Sequence, residues 1–189
     1  MIQKIFCCFL TITAICNLLT MSTILKTCSP QLRVAYKYCA LSNLHNLDAI
    51  RIMVAPEADI YGSKGVDSIM SGMKNFYEKY NDVFWIFKSI KEEEHSSRIL
   101  IEFDRYWTVK QEGLNASKSS ILPSIPSASE VYCSSASEYI DINSEFLVTC
   151  IEYKTLPSEP TLFGHSYPEC REQLLADDRV IIDSNVLGL

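Results

Sequence analysis

The chain has 189 residues, of which 48% are hydrophobic and 21% charged, and its formal net charge is −6. This composition is typical of one globular domain with a hydrophobic core, and it argues against two domains. A negative charge without clustered Lys and Arg excludes the usual footprint of a nucleic-acid-binding protein. We therefore expect no nucleic-acid partner.

The first 28 residues predict a targeting segment. A basic stretch, Met1–Lys4, precedes 21 uncharged residues at 5–25, the order found in the n-region and h-region of a secretory signal peptide. About 20 apolar residues also suffice to span a bilayer, so an uncleaved signal-anchor helix is the alternative. The first reading predicts a secreted protein or one in the lumen of the secretory pathway, and the second predicts attachment to a membrane.

Eight cysteines occur, and four of them follow the predicted leader. In an oxidising compartment these four allow up to two disulfides with three connectivities, and the sequence does not choose among them. Free cysteines in apolar periodic segments are the alternative, because a thiol often packs as a small hydrophobic group. No Cys or His spacing suggests a metal site, and we expect no metal or cofactor. The four are Cys39, Cys133, Cys150 and Cys170.

Three helices are predicted after the leader, over residues 29–43, 47–55 and 65–80. Ser29 is a candidate N-cap of the first helix. The second helix is expected to stop before Pro56, whose ring disfavours helical continuation. The third carries its apolar side chains on one face, the pattern of an amphipathic helix that covers a sheet.

Beyond residue 83 the hydrophobic period changes to two, which predicts strands. Helices followed by strands indicate an α+β domain with a mostly antiparallel sheet. The domain is expected over 29–165, with a C-terminal extension at 166–189. A stretch rich in Ser and Pro at 111–135 is predicted to be a long inserted loop. The strand candidates are 58–62, 83–94, 98–109, 136–143 and 145–155.

This order of elements resembles the SnoaL-like branch of the nuclear-transport-factor-2-like superfamily, through the segments "ADIYG", "GVDSIMSGMKNFYEKYNDVFW", "IEFDRYW" and "EYIDINSEFLVTCIEYKTLPSEP". The similarity covers residues 31–162 apart from the insertion. It implies a cone, in which a strongly curved antiparallel sheet wraps around about three N-terminal helices and a pocket opens at the wide end. Members include ketosteroid isomerase, polyketide cyclases, scytalone dehydratase, epoxide hydrolases and proteins without chemistry, so the fold leaves function open.

The alternation of residues 98–107 predicts which side chains face the interior of the cone. Phe103, Arg105 and Trp107 share the more apolar row and are expected inside, unless a bulge reverses the phase. A buried arginine needs a carboxylate, a carbonyl or an anionic ligand as its partner. Glu152 would supply that partner if its row of the last strand faces inward, which the sequence leaves open.

The resemblance also implies a type of chemistry, in which a carboxylate or His acts as general base and a Tyr, Asp or water network stabilises an enolate-like anion. Asp59 and Tyr61 lie on one face of the brief strand and are the candidate catalytic residues. His45 or Asp48 at the preceding helix junction would assist. The structural alternatives are a turn role for Asp59 and simple packing for Tyr61.

The expected ligand is a small hydrophobic molecule. Trp85 and Trp107 would form flat apolar walls of the pocket, and Arg105 would hold an anionic group. Both rows of residues 83–90 are apolar, which suggests that the outer sheet face is covered, and superfamily members often dimerise there, so a homodimer is expected. Three functions remain open: an isomerase, cyclase or dehydratase acting on a small carbonyl compound, a non-catalytic carrier, and a dimerisation module.

Overall fold

The computed structural model describes residues 28–80, 82–94, 96, 98–108 and 130–183. Residues 1–27 of the predicted leader and 111–129 of the predicted insertion lie outside these ranges.

The described residues form four helices. Side chains cap the first two helices: Ser29 accepts a hydrogen bond from the Leu32 amide at 3.1 Å, and Asn46 accepts one from the Ala49 amide at 3.1 Å. The second helix ends two residues earlier than predicted, since the residue before a proline disfavours helical geometry and Pro56 lies in the strand that follows. The helices are α1 Pro30–Asn43, α2 Leu47–Met53, α3 Val66–Lys79 and α4 Arg171–Asp183.

Seven strands within the described ranges form one open sheet in the order β2-β1-β6-β5-β4-β3, with β7 paired to β5. Every pairing is antiparallel except that of β1 with β6. This confirms the α+β fold with a mostly antiparallel sheet. The strands are β1 Val54–Ile60, β2 Ser63–Lys64, β3 Phe84–Glu92, β4 Ile99–Thr108, β5 Val131–Ile142, β6 Val148–Thr155 and β7 Thr161–Gly164.

Strand β5 is longer than its sequence pattern predicts. It begins at Val131 and pairs with the whole length of β4, from Thr108 opposite Val131 to Ile99 opposite Ile140. Residues 131–135 therefore belong to the sheet and not to the predicted insertion. The Ser-rich composition of this part hides the strand, because the small side chains of Ser134, Ala136 and Ser137 are buried without giving an apolar alternation.

The main core lies between the inner face of the sheet and helices α1 to α3. Leu41 of α1 and Ile69 of α3 are almost fully buried in one cluster with Ile101 of β4 and Ile140 of β5, which have no exposed surface. Irregular register at Ser137 in β5 and elsewhere interrupts the ladders, and such bulges bend strands and favour curvature. The sheet thus encloses the helices on one side, as the predicted cone requires.

The outer sheet face is covered in part by the chain's own C-terminal segment. Phe84 is 1% exposed and packs with Tyr106 and Val131 in a second cluster, on which Leu174 and Leu175 of α4 lie. The apolar outer row of β3, from which covering by a second subunit was inferred, is therefore buried within one chain. The extension is a packed part of the domain, with α4 also against α1.

The rest of the outer face is charged. Lys88 contacts Asp104 at 2.6 Å, and Arg98 contacts Asp141 at 2.8 Å and Glu152 at 2.7 Å. Such exposed pairs contribute little to stability individually. They do show that this part of the sheet is a solvated surface in the single chain.

The four cysteines beyond the predicted leader are free thiols, so the disulfides that the sequence allows are not formed among them. Cys39 is buried in the core, as its apolar surroundings suggest. Within the part of the chain that the structure describes, no helix has the length and hydrophobicity needed to cross a membrane. In that same part, no cluster of three or more His, Cys, Asp or Glu side chains is arranged to hold a metal ion.

Candidate functional site

A cavity of about 300 Å³ lies between α1, α3 and the inner face of the sheet. Its size is at the lower end of the range for small-molecule sites. Most of its wall is apolar, and the polar groups converge from different elements. The apolar and aromatic lining comprises Ile60, Ile69, Met73, Phe76, Trp85, Phe87 and Phe103, and the polar lining includes Tyr38, Ser42, Tyr61, Tyr77, Arg105, Glu138 and Tyr153.

Glu138 is a buried carboxyl group in the wall of this cavity. It lies in β5, is only 5% exposed, and accepts a hydrogen bond from the hydroxyl of Tyr61. Burial raises the pKa of Glu138 from its ordinary 4.5 to about 7, although the Tyr61 hydrogen bond and the charge of Arg105 both act to lower it. A carboxyl group with this pKa exists in both protonation states near neutral pH, which is the condition for a general acid or base.

Tyr61 reaches Glu138 from a tight turn. Ile60 pairs with Ser63 across the β1–β2 hairpin, and the two residues between them have positive φ, 51° at Tyr61 and 83° at Gly62. Two left-handed residues define a type I′ turn, in which Gly is favoured and Tyr is strained by roughly 1 kcal/mol or more. The strained backbone conformation thus occurs at a residue that lines the cavity.

The surroundings of Tyr61 keep its hydroxyl protonated. Its ring stacks on Tyr153 with centroids 4.8 Å apart. About half of the Tyr61 surface is exposed, yet its hydroxyl end is buried, and that burial, followed by the nearby charge of Glu138, raises its pKa well above the ordinary value. Tyr61 is therefore a hydrogen-bond donor to Glu138 across the physiological pH range.

Arg105 is the cationic group of the cavity. Its guanidinium lies 5.0 Å from the Trp107 ring centroid and 5.9 Å from that of Phe76. One Nη–H donates to the Ser134 hydroxyl at 3.4 Å. Within the described residues no carboxylate lies close enough to form an ion pair with it.

The cavity brings together four of the residues named from the sequence, which are Tyr61, Trp85, Phe103 and Arg105. The alternation of β4 therefore identifies two cavity residues. Trp107 shares their row, but it is buried beside Arg105 and stacks on Tyr132 at 6.4 Å without lining the cavity.

Asp59 lies outside the cavity lining. Its carboxylate accepts a hydrogen bond from the Gly62 amide at 2.9 Å and faces Lys64 at 3.9 Å. It therefore stabilises the turn that carries Tyr61. The expectation that Asp59 and Tyr61 share a strand face is wrong, because Tyr61 is a turn residue and strand alternation does not set its direction.

Glu152 also lies outside the cavity, so the expected Glu152–Arg105 pair is not formed. The register of β5 with β6 shifts between Asp141 opposite Cys150 and Ile142 opposite Val148, which inserts one extra residue into β6. This bulge turns Glu152 to the outer face, where it pairs with Arg98.

The two residues proposed to assist at the helix junction do not reach the cavity lining. His45 stacks on Tyr77 at 4.2 Å, and its Nε2 lies 2.9 Å from the carbonyl oxygen of Val83. Burial lowers the pKa of this imidazole. Asp48 is exposed on the surface of α2.

Glu138 is a cavity residue that the sequence-based expectations omit. Alternation in β5 places Ile140 inside, and a residue two positions earlier points to the same face. A single charged residue in a strand is usually solvated, so the pattern by itself does not distinguish Glu138 from a surface carboxylate.

No protein-family model matches this chain, and no curated protein matches it either. Its similarity to known proteins is seen in solved structures. RV0760c from Mycobacterium tuberculosis, in complex with estradiol-17beta-hemisuccinate, has a TM-score of 0.55 at 9% identity, over 71% of this chain and 100% of that one. SalBIII, an epoxide hydrolase/cyclase-like enzyme of pyran ring formation in the polyether salinomycin, has a TM-score of 0.53 at 11% identity, over 70% of this chain and 95% of that one.

An NTF2-like protein of unknown function from Exiguobacterium sp. 255-15 has a TM-score of 0.51 at 9% identity, over 67% of this chain and 98% of that one. Identities this low establish the fold alone. The chain has the NTF2-like, SnoaL-like fold, as the order of its sequence elements predicts.

Proposed function

We propose that this NTF2-like domain binds a small hydrophobic carbonyl compound and that Glu138 transfers a proton on it. The observation that carries the proposal is the carboxyl group of Glu138, buried in the wall of an apolar cavity with a pKa of about 7 and a hydrogen bond from Tyr61. Isomerases, cyclases and dehydratases share such a proton transfer. The estradiol-17beta-hemisuccinate bound by RV0760c and the cyclase-like activity named for SalBIII support a small hydrophobic ligand.

The step is proton abstraction next to the carbonyl group. The Glu138 carboxylate takes the proton from the carbon, the C–H electron pair forms the C=C bond of an enolate, and the carbonyl π pair moves to oxygen. Tyr153 lies opposite Glu138 on the neighbouring strand and stacks on Tyr61, so the phenol hydroxyls are near the point where this charge develops. Where the substrate carries a β,γ double bond the anion is a dienolate, and return of the proton from Glu138 to the γ-carbon moves the double bond into conjugation and yields an isomer.

The apolar wall supports this chemistry. A cavity lined by Phe87, Phe103 and Met73 excludes water from the carboxylate, and hydrogen bonds to a developing anion are stronger in such surroundings. The exclusion of water and the stronger hydrogen bonds both require that the ligand fills the cavity.

Hydrogen–deuterium exchange tests the proposal directly. Propiophenone and 2-tetralone are incubated with the full chain in deuterated buffer, and mass spectrometry follows deuterium incorporation beside the carbonyl group. We expect catalysed exchange that Glu138→Gln reduces by about 100-fold or more, the usual contribution of a general base. Glu102→Gln is the matched control, because Glu102 lies on the adjacent strand and faces Lys91 outside the cavity.

Exchange that survives in Glu138→Gln would refute the role of Glu138. Ketone binding without catalysed exchange would favour the second candidate function, a carrier, for which the observation is the mostly apolar cavity wall.

We infer that the domain acts in the secretory pathway, on the support of the leader pattern at 1–28, and that it forms homodimers through the outer sheet face, on the resemblance to its superfamily. Cell fractionation tests the first inference. Size-exclusion chromatography with light scattering tests the second, and a monomeric mass at micromolar concentration would refute it.

A further inference from the structure

Two charged groups of the cavity, Glu138 and Arg105, lie at different places along the sheet. Glu138 is opposite Ile101 of β4, whereas Arg105 is opposite Ser134. Ser134 and Glu138 are four residues apart on β5, which corresponds to about 13 Å of strand. Phe103 and Ala136 are paired between them. Phe103 lines the cavity between the two charged groups, so a ligand that touches both packs its middle on an apolar wall.

Arg105 differs from the other cations of this sheet. Lys88 and Arg98 each contact a carboxylate at 2.8 Å or less. Arg105 is partly buried and, in the described part of the chain, has no carboxylate within ion-pair distance. Among the described residues, its hydrogen bond is the 3.4 Å contact with the Ser134 hydroxyl. A partly desolvated guanidinium without a close anion gains from an anionic ligand.

The surroundings of Arg105 favour a carboxylate over a phosphate. The guanidinium lies within about 6 Å of the ring centroids of Phe76 and Trp107, and its planar fork matches the two oxygens of a carboxylate. A doubly charged phosphate would meet one cation among mostly apolar and aromatic side chains, and its second charge would remain uncompensated.

We propose that the ligand is an amphipathic oxo acid whose carboxylate binds Arg105 and whose carbonyl group, several carbons away, lies beside Glu138 and Tyr61. This inference rests on the proposed function, since it names the class of carbonyl compound on which Glu138 acts. The apolar middle of the acid packs on Phe103, Phe87 and Met73.

The test compares an acid with its neutral analogue. Dissociation constants of the full chain are measured for 6-oxo-6-phenylhexanoate and for its primary amide by titration calorimetry. We expect the acid to bind about tenfold more tightly, as one charge-assisted pair allows. In Arg105→Gln the acid should lose this advantage, while the affinity for the amide stays nearly unchanged.

Two further variants control the comparison. Lys88→Gln removes one positive charge from the outer face of β3, so the preference for the acid should persist and a general charge effect is excluded. Arg105→Lys keeps the charge but loses the fork, and it should retain only part of the preference. It serves as the second test if thermal melting shows that Arg105→Gln does not fold.

Three results would overturn the inference. They are equal binding of acid and amide, an undiminished preference for the acid in both Arg105 variants, and no binding of either compound to the unchanged chain. Deuterium exchange on the amide separates this failure from that of the proposed function. Exchange that depends on Glu138 without a preference for the acid leaves the proposed function in place. A preference for the acid without exchange supports the site but identifies a carrier.

Discussion

The hydroxyl of Tyr61 donates a hydrogen bond to the buried carboxylate of Glu138, a residue 77 positions further along the chain. One partner lies in a strained turn and the other in the middle of a central strand. The bond favours the ionised form of Glu138, while burial favours the neutral form more strongly. The balance of burial against the Tyr61 bond and the charge of Arg105 places the pKa of Glu138 in the range useful for catalysis at neutral pH.

The rate of deuterium exchange should rise with pH through about 7 and then level off, because only the ionised form of Glu138 can accept a proton. The measurement is kcat/KM for a ketone substrate between pH 5 and 9. A rate that is flat or that falls over this range would be incompatible with a Glu138 base.

Tyr61→Phe should move the midpoint of that pH profile upward. The substitution removes the hydrogen bond that stabilises the carboxylate of Glu138, so its pKa should rise further. The stacking on Tyr153 remains possible, and we expect little change in melting temperature. Tyr132→Phe is the matched control, since Tyr132 donates to Glu130 away from the cavity. An unshifted midpoint would show that the Tyr61 bond has no influence on the base.

Glu138→Gln should also change how stability depends on pH. The folded-state pKa of Glu138 lies above its unfolded value, so the folded state binds more protons between pH 4.5 and 7, and stability is lost as pH rises through this window. The variant lacks this loss. The unfolding free energy of the variant minus that of the unchanged chain should therefore be larger at pH 8 than at pH 4, by on the order of 3 kcal/mol.

Urea unfolding at pH 4 and pH 8 provides the measurement. Asp178, whose pKa burial raises to about 6, acts in the same direction, but it is present in both proteins and cancels in the difference. Parallel pH dependence of the two proteins would show that Glu138 is not perturbed by burial.

Asn43→Ala should destabilise the domain by about 3 kcal/mol, because one side-chain amide makes three hydrogen bonds that join three elements. Its oxygen accepts from the Trp85 amide at 2.9 Å, and its nitrogen donates to the Trp85 carbonyl at 3.1 Å and to Asp178 at 3.0 Å. Asn46→Ala removes only a helix cap and should cost about 1 kcal/mol. Chemical denaturation compares the two, and equal losses would contradict a bridging role for Asn43.

Asp59→Asn should retain deuterium exchange. The side-chain oxygen of Asn can still accept the hydrogen bond from Gly62 that Asp59 accepts in the structure. The assay is the same exchange measurement used for Glu138→Gln. If Asp59→Asn lost as much exchange as Glu138→Gln, the turn carboxylate would be part of the catalytic group.

The α+β class and the inward direction of Phe103 and Arg105 could be predicted from the sequence because both depend on short-range periodicity. Helix caps at Ser29 and Asn46 are local for the same reason. In a strand without a bulge, side chains alternate strictly between the two faces, so the local sequence indicates which residues share a face. Strand β4 is of this kind, and its ten residues pair with β5 without a break.

The tertiary structure alone decided which polar groups meet. A one-residue bulge in β6 turns Glu152 to the outer face. The bulge is defined by the pairing of β6 with β5, which the local sequence of β6 does not show. The positive φ of Tyr61 is accepted because the hairpin and the Glu138 bond hold it. Sequence alone thus determined helices α1 to α3, most of the strands and the inner face of β4. The start of β5, strand β7, helix α4 and the site depend on contacts between residues far apart in the chain, which no local pattern shows.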